Sequence, residues 1–163
     1  MNKDRMRKLE GDQLLESERF RVVRLLEKCR DGMTRSKDII EHPGSVAIVP
    51  FVDDDQVCLI NVFRPAVGRA LIEIPAGTLD RVESLPAAAH RELREETGYQ
   101  AAVLESLGEL WMSPGILHEK MHLFVAKGLQ GGSQSLEPNE CIEPRVVRWS
   151  EAVAMCHNGL IED

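Results

Sequence analysis

The stretch GTLDRVESLPAAAHRELREETGY, Gly77 to Tyr99, decides how the rest of this chain is read. Residues 85–97 hold three consecutive alanines, two leucines and interleaved Glu and Arg, with no β-branched residue before Thr97, which predicts a helix. Ser84 is placed to cap its start, Pro86 falls in the first turn where a missing N–H costs nothing, and Gly98 offers a left-handed exit. On such a helix Glu92 and Glu96 project from one face, one turn apart, with Glu95 on the flank. Three carboxylates so spaced repel, so either solvent and the neighbouring Arg91 and Arg94 disperse them or a hard divalent cation binds them. On its own a charge-rich helix face is most often solvated surface.

Around this helix the chain has 163 residues, 43% hydrophobic and 29% charged, enough for one domain with a real core. Twenty Lys and Arg stand against 27 Asp and Glu, a net charge of −7, which disfavours a generic nucleic-acid or anionic-membrane surface. No apolar run approaches the roughly 20 residues of a membrane span, and residues 1–10 lack the apolar core of a secretion signal, so a cytoplasmic protein is expected. Cys29, Cys58, Cys141 and Cys156 show no CxxC pairing. Three of them lie in apolar or mixed stretches, as small buried hydrophobes would, and neither a zinc knuckle nor a disulfide framework is indicated.

Upstream, residues 14–41 alternate apolar and charged positions about the turn signal Asp31-Gly32, predicting two strands of a hairpin-like arm, with a helix over 17–30 as the rival. Residues 45–52 and 56–63, separated by Asp53, Asp54 and Asp55, read as a central hairpin. A loop over 64–69, a short apolar run over 70–74 and a turn at Pro75-Ala76-Gly77 lead into the helix. Beyond it, residues 101–111 and 120–126 read as strands flanking the loop 112–119, residues 128–139 as a flexible loop, and 145–149 as a last strand. Ser150 is placed to cap a short helix over 151–157. Strands dominate, which favours an α+β layered arrangement over a doubly wound sheet.

Gly77, five residues, Glu83, seven residues, then Arg91-Glu92-Leu93, one residue, Glu95-Glu96, one residue and Gly98-Tyr99 make nine fixed positions. The pattern resembles the box of the Nudix hydrolases, with Tyr99 a mild departure where an aliphatic residue is commoner. The resemblance implies mixed β-sheets sandwiched between helices (α/β/α), with residues 1–43 an N-terminal strand arm and dimerisation segment and residues 44–163 the Nudix domain. It further implies Mg²⁺ or Mn²⁺ held by Glu92, Glu95, Glu96 and the Ala76 carbonyl, with Glu83 and Arg91 as a salt bridge fastening loop to helix. Gly77 is assigned a tight turn and Gly98 the helix exit.

Outside the box, Phe63-Arg64-Pro65 and Glu73-Ile74-Pro75-Ala76-Gly77 resemble the ADP-ribose pyrophosphatase branch, as does Ser113-Pro114-Gly115 with Glu119 following, where Pro114 falls fifteen positions after Tyr99. That likeness implies hydrolysis of ADP-ribose to AMP and ribose 5-phosphate by water. Arg64 would then clamp substrate phosphate, Glu73 would bond a sugar hydroxyl or help hold metal-bound water, and Pro114, Gly115 and Glu119 would contact substrate. A late-loop glutamate would be the base: Glu140 fits best, with Glu137 and Glu143 as alternatives. Trp111 and Phe20 are candidates to stack on adenine, though each also suits a core or an interface, and among the histidines His118 alone sits beside the Pro114 loop. The likeness also implies a homodimer in which the arm completes the neighbour's pocket. A GDP-mannose or other nucleoside diphosphate sugar diphosphatase is the alternative substrate class, and a catalytically silent nucleotide sensor the rival from another class.

Overall fold

A computed structural model describes residues 8–163; residues 1–7 of the expected arm lie outside the described residues. The arm forms β1 (Asp12–Glu16), β2 (Arg21–Lys28) and β3 (Thr34–Glu41), an antiparallel meander rather than a helix over 17–30. The β2–β3 turn is closed by the Met33 N–H donating to Asp31 Oδ1 at 3.0 Å, with Gly32 at φ 79° where a side chain would be strained. The meander is joined to the rest by β9 (Leu117–His118), which runs parallel to the end of β3.

The expected central hairpin does not form. β4 (Ser45–Pro50) and β5 (Gln56–Arg64) share one isolated bridge, Phe51 to Val57, and then enter different sheets. β4 lies between β7 (Ala76–Thr78) and β10 (Lys120–Gln130), with β8 (Gln100–Trp111) outermost; β10 runs parallel to β4 and antiparallel to β8. β5 lies between β11 (Ile142–Arg148) and β6 (Arg69–Glu73). Both β4 and β5 are nearly continuous apolar runs, buried on successive residues and hence on both faces, which suits the centre of a covered sheet better than a hairpin with one wet side.

α1 (Leu85–Thr97) packs Ala88, Ala89 and Leu93 onto Val46 and Ile48 of β4 and Phe124 and Ala126 of β10. α2 (Trp149–His157) packs Ala152 and Met155 onto Val57 and Leu59 of β5 and Val147 of β11. The two sheets therefore lie between two helices, the α+β sandwich expected. The Ser84 side chain accepts from the Ala87 N–H, and Gly98 at φ 78° ends α1 with its N–H on the Arg94 carbonyl at 2.9 Å.

Three local readings need correction. Residues 76–78 pair with β4 as a strand, so Pro75-Ala76-Gly77 is not a turn. Ser150 lies inside α2, whose N-cap is Arg148 without a side-chain bond, because the helix begins directly where β11 ends. Of the cysteines only Cys58 is fully buried; Cys29 is partly exposed, Cys141 and Cys156 are exposed, and all four are free thiols. Among the described residues no helix is long and apolar enough to cross a membrane.

Candidate active site

Two covered sheets with α1 across their junction leave a cavity of about 650 Å³. Glu92, Glu95 and Glu96 reach it from α1, Ala76 and Gly77 from β7, Arg64 from the end of β5, and Glu137 and Glu140 from the loop before β11. The arm closes another side with Phe20 and its flanking arginines, Arg19 and Arg21.

Gly77 carries no positive φ; what it needs is space. A Cβ there would lie 1.9 Å from Glu92 Cδ, so the Glu92 carboxylate rests directly against the β7 backbone. The tight-turn role is thus replaced by close approach of an acid to main chain. Next to it the Ala76 N–H donates to Glu96 Oε2 at 2.9 Å. One strand of three residues seats both buried carboxylates of the helix.

Burial dominates their ionisation. It pushes the Glu92 carboxyl up to about 6 against the pull of Arg91. It pushes Glu96 up to about 8, with the neighbouring Glu92 and Glu140 adding to the rise and the Ala76 N–H opposing it. Arg91 ties three acids at once: Glu83 at 2.8 Å, Glu92 at 2.7 Å and Glu95 at 2.9 Å. This shared fork fastens the loop before α1 to the helix.

The donor chemistry suits a hard cation: oxygen ligands only, two of them buried, with the one Arg91 guanidinium shared among Glu83, Glu92 and Glu95. With Arg91 holding Glu92 and Glu95, no three His, Cys, Asp or Glu side chains converge at ligand distances among the described residues. A cation would have to draw carboxylates away from that guanidinium.

Other expected site residues fall differently. Arg64 is not a free clamp: it makes a two-pronged bond to Glu73, Nε to Oε1 at 2.9 Å and Nη2 to Oε2 at 2.6 Å. Glu73 is 5% exposed and does not line the cavity, so it holds Arg64 rather than facing a sugar. Glu119 accepts from Ser45 Oγ at 2.8 Å and lies 3.2 Å from His42 Nδ1. Burial works to raise its carboxyl, but these two bonds bring it below the usual range. Glu119 therefore braces β4, and neither it, Pro114 nor Gly115 lines the cavity of this chain, because the 112–116 loop is exposed beyond β8. Glu140 does line it; its carboxylate accepts from the Glu137 N–H at 2.8 Å. Phe20 lines the cavity, whereas Trp111 packs on His118, ring centroids 5.3 Å apart. His118 leaves its buried Nδ1 without a partner.

Residues without a sequence signal also reach the cavity. Arg81 occupies a variable position of the Gly77 to Tyr99 stretch, and Lys8, Arg19 and Arg21 come from the arm, which no local pattern connects to the helix.

The NUDIX domain model matches residues 41–161. The methanol dehydrogenase activator of Bacillus methanolicus is 35% identical over 135 residues, covering 82% of this chain and 73% of that protein. The ADP-ribose pyrophosphatase of Bacillus subtilis (strain 168) is 32% identical over 135 residues with the same coverages, 82% and 73%. The crystal structure of an ADP compounds hydrolase superposes with a TM-score of 0.80 over 97% of this chain and 89% of the other, at 24% identity, a likeness of fold.

Proposed function

The chain belongs to the Nudix hydrolase family, and from that premise we propose that it hydrolyses the pyrophosphate of ADP-ribose to AMP and ribose 5-phosphate with Mg²⁺ or Mn²⁺. The observation that carries this reading is the meeting of Glu92, Glu95, Glu96, Glu140 and Arg64 at one cavity. The cation would be held by Glu92, Glu95, Glu96 and the Ala76 carbonyl, and would supply the positive charge that an acidic site lacks toward pyrophosphate oxygens. The ADP-ribose pyrophosphatase relative supports the choice of substrate.

Within the protein, Arg64, aligned by Glu73, faces the cavity as a phosphate donor whose direction is set by a buried acid. Glu140 is the base that takes a proton as the water oxygen bonds to phosphorus and the bridging P–O bond breaks. Phe20 offers a face for adenine. Exposed Leu14, Leu15 and Leu26 on the arm and Leu107, Leu110 and Trp111 on β8 support a homodimer that uses the arm, residues 1–43; the setting proposed for it is the cytoplasm.

Purified protein assayed on ADP-ribose, GDP-mannose and a nucleoside triphosphate, with and without chelator, tests the reading. ADP-ribose should turn over fastest, only with divalent cation, releasing AMP. No turnover with any cation, or faster release of GMP from GDP-mannose, would overturn it. Light scattering reads the dimer, which a monomer mass would remove.

A further inference from the structure

Arg81 has no assigned role in the site, yet its guanidinium spans two elements of it. Nη1 lies 3.6 Å from Glu95 Oε1 on α1, Nη2 lies 3.7 Å from Glu137 Oε1 on the loop before β11, and Nε lies 3.9 Å from Asp80. The start of that loop is fastened separately: the Ser135 N–H donates to the Glu95 carbonyl at 3.0 Å, and the Gln134 amide donates to the carbonyls of Glu96 and Ile142. Leu136 then packs onto Ile60, Val62 and Ile142.

Residues 137–140 follow as a turn closed on itself. The Glu140 N–H donates to the Glu137 carbonyl at 3.0 Å, and the Glu137 N–H donates to Glu140 Oε2 at 2.8 Å. Whatever holds Glu137 therefore holds Glu140. Among the described residues Arg81 is the turn's one ion-pair partner. Of the other arginines beside the carboxylates, Arg91 is paired with Glu83, Glu92 and Glu95 and Arg64 with Glu73, and neither pairs with the turn.

We propose that Arg81 is a positioning residue: bridging Glu95 and Glu137, it holds the 137–140 turn, and with it Glu140, over the carboxylates of α1. Its catalytic consequence rests on the hydrolase reading above; its structural part does not. The bridge is half-exposed and slightly longer than a hydrogen bond, so it biases the turn without locking it. Removing it should loosen residues 136–141 and leave the fold untouched.

Hydrogen exchange of the metal-free full chain tests this with Arg81→Gln, Glu137→Gln and the double variant. Each single change should speed exchange of the 136–141 peptide about two- to five-fold, and the double variant no further, because both remove one interaction. Raising salt from about 0.05 to 1 M should bring the parent protein up to the rate of Arg81→Gln, which itself should stay flat, and Arg81→Lys should remain near the parent. Unchanged exchange in Arg81→Gln, or single effects that multiply in the double variant, would overturn the tether. In steady state Arg81→Gln should lower kcat with KM unchanged and Arg81→Lys should restore it; an unchanged kcat removes the catalytic consequence. A parent protein inactive on every nucleoside diphosphate would sink the hydrolase reading, while the exchange data would still decide the tether.

Discussion

Replacing Gly77 by alanine should separate activity from stability in a way a turn glycine would not. The new methyl would sit 1.9, 2.1 and 2.4 Å from the three terminal atoms of Glu92, so the carboxylate has to retreat by about 1.5 Å to reach ordinary contact. It is the end of a flexible side chain and can swing. The cost is its bond to Arg91, 2.7 Å long, partly offset because a buried acid moves toward water. We expect a loss of about 1 kcal/mol, which for a domain of this size lowers Tm by about 2–4 °C. Turnover should suffer far more, since misplacing a catalytic group by about 1 Å costs on the order of 100-fold.

The sign reverses in a Glu92→Ala background. There the three nearest atoms are removed, the backbone at Gly77 lies outside the left-handed region, and Gly77→Ala should add about 0.4–1 kcal/mol by restricting the unfolded chain. Thermal melts of the four proteins and kcat of the parent and Gly77→Ala are sufficient. Full activity in Gly77→Ala would refute the reasoning, as would a destabilisation that persists unchanged beside Glu92→Ala.

The raised Glu92 and Glu96 carboxyls set a pH dependence for the metal-free protein. The folded state binds protons that the unfolded chain has already released between the ordinary value near 4.5 and about 6 for Glu92 and about 8 for Glu96. Their stabilisation is therefore full below about 4.5 and fades as pH rises, so Tm should fall from pH 5 to 8.5. Glu96→Gln should flatten that fall above pH 6.5 and lower turnover by orders of magnitude; parallel Tm curves would count against the buried-acid account. Arg64→Ala leaves the 5% exposed Glu73 without its partner and should cost about 1–3 kcal/mol as well as raising KM, with Glu73→Gln returning part of the stability; denaturant melts and initial rates read both. Leu93→Ala empties the fully buried contact of α1 with β4 and should cost about 2–5 kcal/mol by urea unfolding, and a loss under 1 kcal/mol would show that α1 is not seated on that core.

Local patterns carried much of this. Ser84, Pro86 and Gly98 bound α1 because caps act through bonds to residues three or four away, which a sequence displays directly. The Asp31-Gly32 turn is equally local. The partners of β4 and β5 are not legible in the sequence, because adjacent apolar runs separated by turn formers look alike whether they pair together or part into two sheets. Only their burial on both faces, a property of the assembled layers, distinguishes the cases. That Arg64 and Glu73 bond each other is not legible in the sequence, because Arg64 lies opposite Arg69 and Glu73 opposite Ile60, and only the folded sheet shows that the two side chains reach across that offset.

The sequence by itself determined the family, the helix and the spacing that puts Glu92, Glu95 and Glu96 along one side of it, because a helical repeat converts intervals of three and four into proximity. The tertiary structure decided what those acids meet. It seats Glu92 on Gly77, gives Glu96 the Ala76 N–H, spends Arg64 on Glu73, and brings Arg81, Glu137 and the arm to the same cavity. Each of those contacts depends on how sheets stack and where loops return, and burial, which sets the ionisation of Glu92 and Glu96, exists only once the layers have closed.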